Sequence, residues 1–194
     1  MYTQIKTSGG INLVPIETTL LSSRTIFLEG EINHESACAL IRQIMVLAAE
    51  NAKQPIRLLI NSPGGEISAG MLLYDAIQSC PAPIQLYCLG RAYSMAAVLF
   101  ASGQHGRYIL PNSEVMLHEP LLGNRISGNA SSLKSISDSL LETRRKMNSL
   151  LAKLTGKTED EIAEATGYDH YFNAQESVDF GLADKIVKFD TILK

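Results

Sequence analysis

The sequence predicts an α/β fold built on a parallel sheet, and three observations predict it. From about residue 25, apolar β-type runs alternate with helical runs: "TIFLEG", "ESACALIRQIMVLAAENA", "PIRLLIN", "ISAGMLLYDAIQSC", "APIQLYCLG" and "SMAAVLFASG". The strand-then-helix unit recurs three times in succession. Residues 56–60 and 84–89 are almost continuously apolar, which suits strands covered by helices on both faces.

The first helical run carries Ala37, Leu40, Ile41, Ile44, Leu47 and Ala48 on one face, with Glu35, Arg42 and Glu50 off it. After the third unit, "GRYILPNSEVMLHEP" reads as two short strands around Pro111-Asn112, and "LLGNRISGN" as a loop. Over residues 130–154 the apolar positions Leu133, Ile136, Leu140, Leu141, Met147, Leu150 and Leu151 recur at threes and fours, predicting a long helix. Gly156 suits its C-cap and Thr158 the N-cap of the next helix. Such a helix, outside the βα core, is suited to packing on another subunit. With no internal repeat or linker, residues 1–194 are taken as one domain with a helical projection.

Hydrophobic residues make up 45% and charged residues 19% of the 194, a composition that folds. A formal net charge of -3 argues against nucleic acid or an anionic membrane as partner. The three cysteines, Cys38, Cys80 and Cys88, form no C-x-x-C pair and read as buried small hydrophobes in a reducing compartment. "MYTQIKTSGG" has no apolar signal core and no window reaches the length of a membrane span, so a cytoplasmic location is expected.

Two stretches carry chemistry. In "LGRAYSMAAVLF", Ser94 stands between a strand end and a helix start. There it serves either as an N-cap or as a nucleophile beside unpaired backbone N–H groups, Met95 N–H being nearest. The surroundings are not G-x-S-x-G, because Gly90 lies four residues before the serine and position 96 is alanine. In "INSPGGEISAG", Pro63-Gly64-Gly65 turns the chain sharply at another strand end, either as a plain turn or as a backbone cradle for an acyl oxygen. If both loops lie at the carboxyl edges of neighbouring parallel strands, they would face one crevice, where α/β proteins tend to bind ligands. Of the four histidines, His34, His105, His118 and His170, the rigid strand-end position before Pro120 favours His118 as base. Asp169 in a turn-rich segment, and Asp75 and Asp138 in helical patterns, are the carboxylates weighed for orienting it.

"INSPGGEISAGMLLYDAIQ", "GRAYSMAAVLFASG", "LPNSEVMLHEP" and "YDHYFNAQESVDFGLADKI", in order over almost the entire chain, resemble the proteolytic subunits of the Clp protease, the ClpP family. The resemblance implies that Ser94 is the nucleophile, His118 the general base and Asp169 its orienting carboxylate. Gly65 and Met95 would supply the oxyanion-hole N–H groups. It further implies a crotonase-like spiral of βαβ units, an axial N-terminal segment over residues 1–20, and a handle over 120–156. No metal or cofactor is implied in this subunit. Two stacked heptameric rings, homomeric or mixed with a second ClpP paralogue, would enclose a chamber. An AAA+ unfoldase of the ClpX, ClpA or ClpC type would feed unfolded polypeptide into it, consuming the ATP.

The chain departs from the family pattern in places. Gly167 and Tyr168 stand where many members carry an acidic residue and an arginine that pair between rings, and Glu119 stands where a glutamine is common. Arg57, Leu59, Ser79 and Tyr87 occupy positions that line the family's unfoldase-docking pockets, and Arg57 and Ser79 weaken apolar docking there. These departures suggest a secondary paralogue working in a mixed assembly. The alternatives are a catalytically silent ring subunit and, more remotely, a crotonase-type acyl-CoA enzyme.

Overall fold

The computed structural model describes residues 1–7, 10–123 and 127–193; Ser8-Gly9 of the axial segment and 124–126 of the handle loop lie outside them. The first residues form a hairpin, β1 (Tyr2–Thr7) antiparallel to β2 (Gly10–Pro15), followed by a short helix α1 (Ile16–Ser22). The three predicted units follow. They are β3 (Thr25–Ile32) with α2 (His34–Glu50), β4 (Ile56–Gly65) with α3 (Ile67–Ser79), and β5 (Ile84–Tyr93) with α4 (Met95–Ala101). Asn33 begins α2 with a capping box to Ser36, and Ala37, Leu40, Ile44 and Leu47 are the buried face of that helix.

Strands β3, β4 and β5 run parallel in that order. The outer edge of β5 is then divided. Leu86–Cys88 pairs with β6 (Arg107–Ile109), while Arg91–Tyr93 pairs with β7 (Glu114–Leu117), both in parallel. This split turns the C-terminal end of β5 toward β7 and away from β6. Both β4 and β5 outrun the apolar runs read from the sequence, the end of β4 laddered to β3 and the end of β5 to β7. Their last residues keep ladder partners, Gly64 with Glu31 and Ala92 with Val115, although glycine, serine and proline replace the apolar pattern.

Helix α4 is the centre of the core: all seven residues from Met95 to Ala101 are buried. Burial of Val98, Leu99 and Phe100 contributes about 1.5–3 kcal/mol each, which fixes the helix start against the sheet. The long helix α5 (Ala130–Thr155) ends as predicted on Gly156, left-handed at φ 75, and Thr158 caps α6 (Glu159–Thr166) through a capping box with Glu161. Asn148 and Leu151, in the last two turns of α5, are its buried residues, while Leu133 and Leu141 are 44% and 43% exposed. The chain ends with β8 (His170–Phe172), α7 (Ala174–Phe180), β9 (Lys185–Ile186) and a 3₁₀ turn (Phe189–Thr191).

One side chain binds several of these ends together. The Arg107 guanidinium donates to the carbonyls of Ala101, Leu154 and Gly181, at the ends of α4, α5 and α7, and pairs with Asp184.

Candidate active site

Strand β5 passes into α4 at Ser94, whose φ of 54 and ψ of −122 lie where residues with a side chain are strained by about 1–3 kcal/mol. The corner is held from three sides. Ser94 N–H donates to Met116 O of β7 at 2.8 Å, and Ser94 O accepts from Ala97 N at 3.0 Å and Val98 N at 3.3 Å. Behind it lies Gly64 at φ 91, where a Cβ would fall 2.5 Å from Tyr93 O and 2.8 Å from Ser94 Cβ. Only glycine allows β4 that close to the corner. At neighbouring Gly65, a Cβ would run into the backbone of Ile32.

Ser94 occupies the N-cap position of α4, yet its side chain makes no capping hydrogen bond. Its Oγ instead lies 2.7 Å from Nε2 of His118. Of the two readings left open by the sequence, capping therefore fails at the level of the hydroxyl, and the helix start remains free of its own serine.

His118 stands one residue beyond β7, and Asp169 one residue before β8. These strands are antiparallel with Leu117 opposite His170, so one further step of the register brings His118 and Asp169 face to face. Nδ1 of His118 lies 3.2 Å from Asp169 Oδ1; the histidine side chain is 17% exposed and the carboxylate 59%. Asp169 lies, as expected, in the turn-rich segment after α6, and it leads directly into the short strand β8. The other candidates do not converge on Ser94. His105 is in an exposed turn, His34 is the exposed first residue of α2, and His170 stacks on Phe172 with ring centroids 4.2 Å apart. Asp75 and Asp138 are exposed on α3 and α5.

Around the pair runs an open cleft of about 1020 Å³, with Gly65, Glu66 and Ile67 on one wall and Leu121, Ile136 and Leu140 on another. Its size suits an extended chain. A smaller recess of about 30 Å³ beside Ser94 has an apolar wall that includes Met95, Val98, Leu117 and Leu151. Gly65 borders the cleft together with Ser94 and His118. Met95 is the first residue of α4, so its N–H has no acceptor within the helix. A serine hydroxyl that can pass its proton to an imidazole, with backbone donors nearby, is the arrangement required for acyl transfer.

Three features had no usable signal in the sequence. The Tyr93 hydroxyl donates to Glu114 Oε1, and that hydrogen bond, with burial, pushes its pKa up to about 12, so the phenol beside the corner stays neutral. Glu119 forms an ion pair with Arg144 of α5 at 2.9 Å, a partnership invisible across that sequence separation. The third concerns the positions assigned to partner docking. Leu59 and Tyr87 are buried in a small second cluster closed by Val187 and Ile192, and Arg57 donates to Ile192 O at 2.7 Å and Ser23 O at 2.8 Å. Ser79 is exposed at the end of α3.

The expected burial of the cysteines holds for Cys88, whose thiol is pushed up to about 12 by burial, whereas Cys38 in α2 and Cys80 at the end of α3 are half-buried. Among the described residues no group of three or more His, Cys, Asp or Glu could hold a metal ion, and no helix is long and apolar enough to cross a membrane.

Comparison with known protein families finds a match to the family model for Clp protease over residues 8–190 of the 194. The match covers the hairpin end, all three βα units, α5 and the strand carrying Asp169 to its place, and the mixed sheet with covering helices is that of a ClpP-like α/β fold. The chain belongs to the Clp protease family and is a ClpP-type peptidase.

Proposed function

We propose that this chain is a serine endopeptidase subunit that hydrolyses peptide bonds of unfolded polypeptide through Ser94, His118 and Asp169. The observation that carries the reading is the 2.7 Å approach of Ser94 Oγ to His118 Nε2 from a strained corner that leaves the hydroxyl nothing else to do.

With its proton on Nδ1, His118 donates to Asp169 and offers the Nε2 lone pair to Ser94. Ser94 Oγ attacks the scissile carbonyl carbon as its proton passes to Nε2. Asp169 then stabilises the imidazolium without taking a proton itself. The negative oxygen of the tetrahedral intermediate accepts hydrogen bonds from Gly65 N–H and Met95 N–H. Collapse expels the amine, which takes the proton from His118 and leaves an acyl-enzyme on Ser94. Water attacks this ester by the same steps in reverse roles, and Oγ recovers its proton. The chemistry uses protein groups alone in this subunit, and ATP is used by the partner unfoldase.

The family assignment supports assembly into stacked rings served by an AAA+ unfoldase. The Arg57 clasp on Ile192 supports a secondary role for this subunit in a mixed assembly. The apolar side chains of Leu59 and Tyr87 are already covered by its own chain end, so less apolar surface remains for an unfoldase loop. Mixing the purified chain with an unfoldase and a folded, tagged substrate tests this: no tight binding or rapid degradation is expected without a second paralogue, and both together would overturn it.

A silent ring subunit is the second reading, favoured by the 3.2 Å separation and 59% exposure at Asp169, which weaken the orienting hydrogen bond. A fluorophosphonate probe separates the two: labelling of Ser94 that vanishes in Ser94→Ala supports the protease, and unlabelled assembled rings support the silent subunit. An acyl-CoA enzyme predicts no labelling of Ser94 either, but is disfavoured by the family match.

A further inference from the structure

Contacts at the residue after His118, as well as the hydrogen bond to Asp169, bear on where its ring stands. The carboxylate is more than half exposed and its hydrogen bond to Nδ1 is the longer of the two on the ring, so it holds the imidazole loosely.

Glu119 N–H donates to Thr166 O, at the end of α6, at 2.8 Å, and Glu119 Oε2 receives Arg144 Nε of α5 at 2.9 Å. Thr166 in turn donates its hydroxyl to Ile162 O at 2.8 Å and stands 3.5 Å from Oδ1 of Asn148, a buried residue of α5. Asn148 lies four residues after Arg144, so one face of α5 touches the His118 segment directly through Arg144 and again through Thr166. The other ion pairs of α5 and α6, Lys146–Glu142 and Lys157–Glu161, join residues one turn apart and hold nothing but their own neighbourhood. Arg144–Glu119 crosses between elements and ends one residue from the base.

Resting on the serine-peptidase reading above, we propose that Glu119 and Arg144 are a positioning pair. Their ion pair sets the backbone of His118, and hence the aim of Nε2 at Ser94, from the position of α5. As a contribution to stability an ion pair with both partners about 40% exposed is small. As a positional constraint it matters more, because misplacing a catalytic group by about 1 Å can cost about 100-fold in rate. The pair is also accessible to salt, which gives the proposal a second signature.

The test uses the assembled protein with a short chromogenic peptide and a fluorophosphonate probe. Glu119→Gln and Arg144→Gln should each lower kcat by about three- to tenfold with KM changed by less than about twofold, at unchanged native mass and melting temperature. The double reversal Glu119→Arg with Arg144→Glu should recover most of that loss. Raising salt to about 1 M should lower kcat of the parent chain and leave Glu119→Gln nearly unaffected. If Ser94 is labelled in every variant and kcat stays at the parent level, or if the reversal is no better than the single variants, the positioning pair is wrong while the peptidase reading stands. If Ser94 of the assembled parent is never labelled, both fail together.

Discussion

Arg24 and Ser94 are the two non-glycine residues at positive φ among the described residues, at 59 and 54 degrees, and both stand where one element turns into the next. Arg24 joins α1 to β3 and holds its own corner. Its guanidinium donates to the carbonyls of Leu47, Asn51, Gln54 and Pro55, closing the end of α2 and the loop after it. Ser94 does none of this for itself. Met116, Ala97 and Val98 hold its backbone, Gly64 gives it room, and its side chain faces the cleft with His118 as partner. The contrast separates strain that a side chain offsets from strain that the surroundings offset so that a side chain can be presented.

The largest effect expected from breaking this contrast is at the presented side chain. Ser94→Ala and His118→Ala should each lower peptidase kcat by about 10⁴-fold or more, and the double variant should be no worse than either, because the two act as a unit. A double variant whose loss is the product of the single ones would mean that the two residues work independently.

Gly64→Ala moves the support and leaves the machinery in place. The added Cβ meets Tyr93 O and Ser94 Cβ, so the corner must shift, and a loss of about 100-fold in kcat is expected alongside a cooperative unfolding transition. Normal kcat in that variant would show that the close approach of β4 to the corner is irrelevant to activity.

Glycine at each strained site should act in opposite directions at the two corners. Arg24→Gly relieves the strain but removes four hydrogen bonds, and should lose about 2 kcal/mol in urea unfolding. Ser94→Gly relieves similar strain at the cost of a more flexible unfolded chain, and should gain about 1 kcal/mol while losing activity. Equal signs for the two substitutions would erase the distinction.

The smallest effect is at α6, whose end reaches the His118 segment through Thr166. The Thr158 N–H and hydroxyl hold the Glu161 carboxyl below its usual range. A depressed carboxyl means that the unfolded chain binds the proton first. Its stabilisation is therefore present above the ordinary glutamate pKa and lost as pH falls through the lower folded value. Glu161→Gln should flatten the fall in urea midpoint below about pH 4.3, and an unchanged slope would remove the carboxylate from the account.

The βα units were legible because each depends on a local pattern. Residues 84–89 announced β5, and the spacing from Ala37 to Leu47 announced α2. Gly156 and Thr158 announced the break between α5 and α6 for a similar reason, since capping chemistry is local. The hairpin of β1 and β2 was not announced, because Tyr2, Ile11 and Leu13 remain exposed and no buried face imposes a period. Ser94, His118 and Asp169 were each visible as candidates, but their meeting depends on pairings the sequence does not encode locally. Strand β8 has three residues, too few for a period, yet its register with β7 is what carries Asp169 to His118. The Glu119–Arg144 pair and the Ile192 cover over Leu59 and Tyr87 likewise arise from long-range packing.

A reactive nucleophile at the Ser94 corner will take a covalent label. Assembled protein treated with a fluorophosphonate probe, digested and mapped by mass spectrometry should carry the label on Ser94, with none in Ser94→Ala and much slower labelling in His118→Ala. Label on another residue, or intact rings that take up none, would contradict the account.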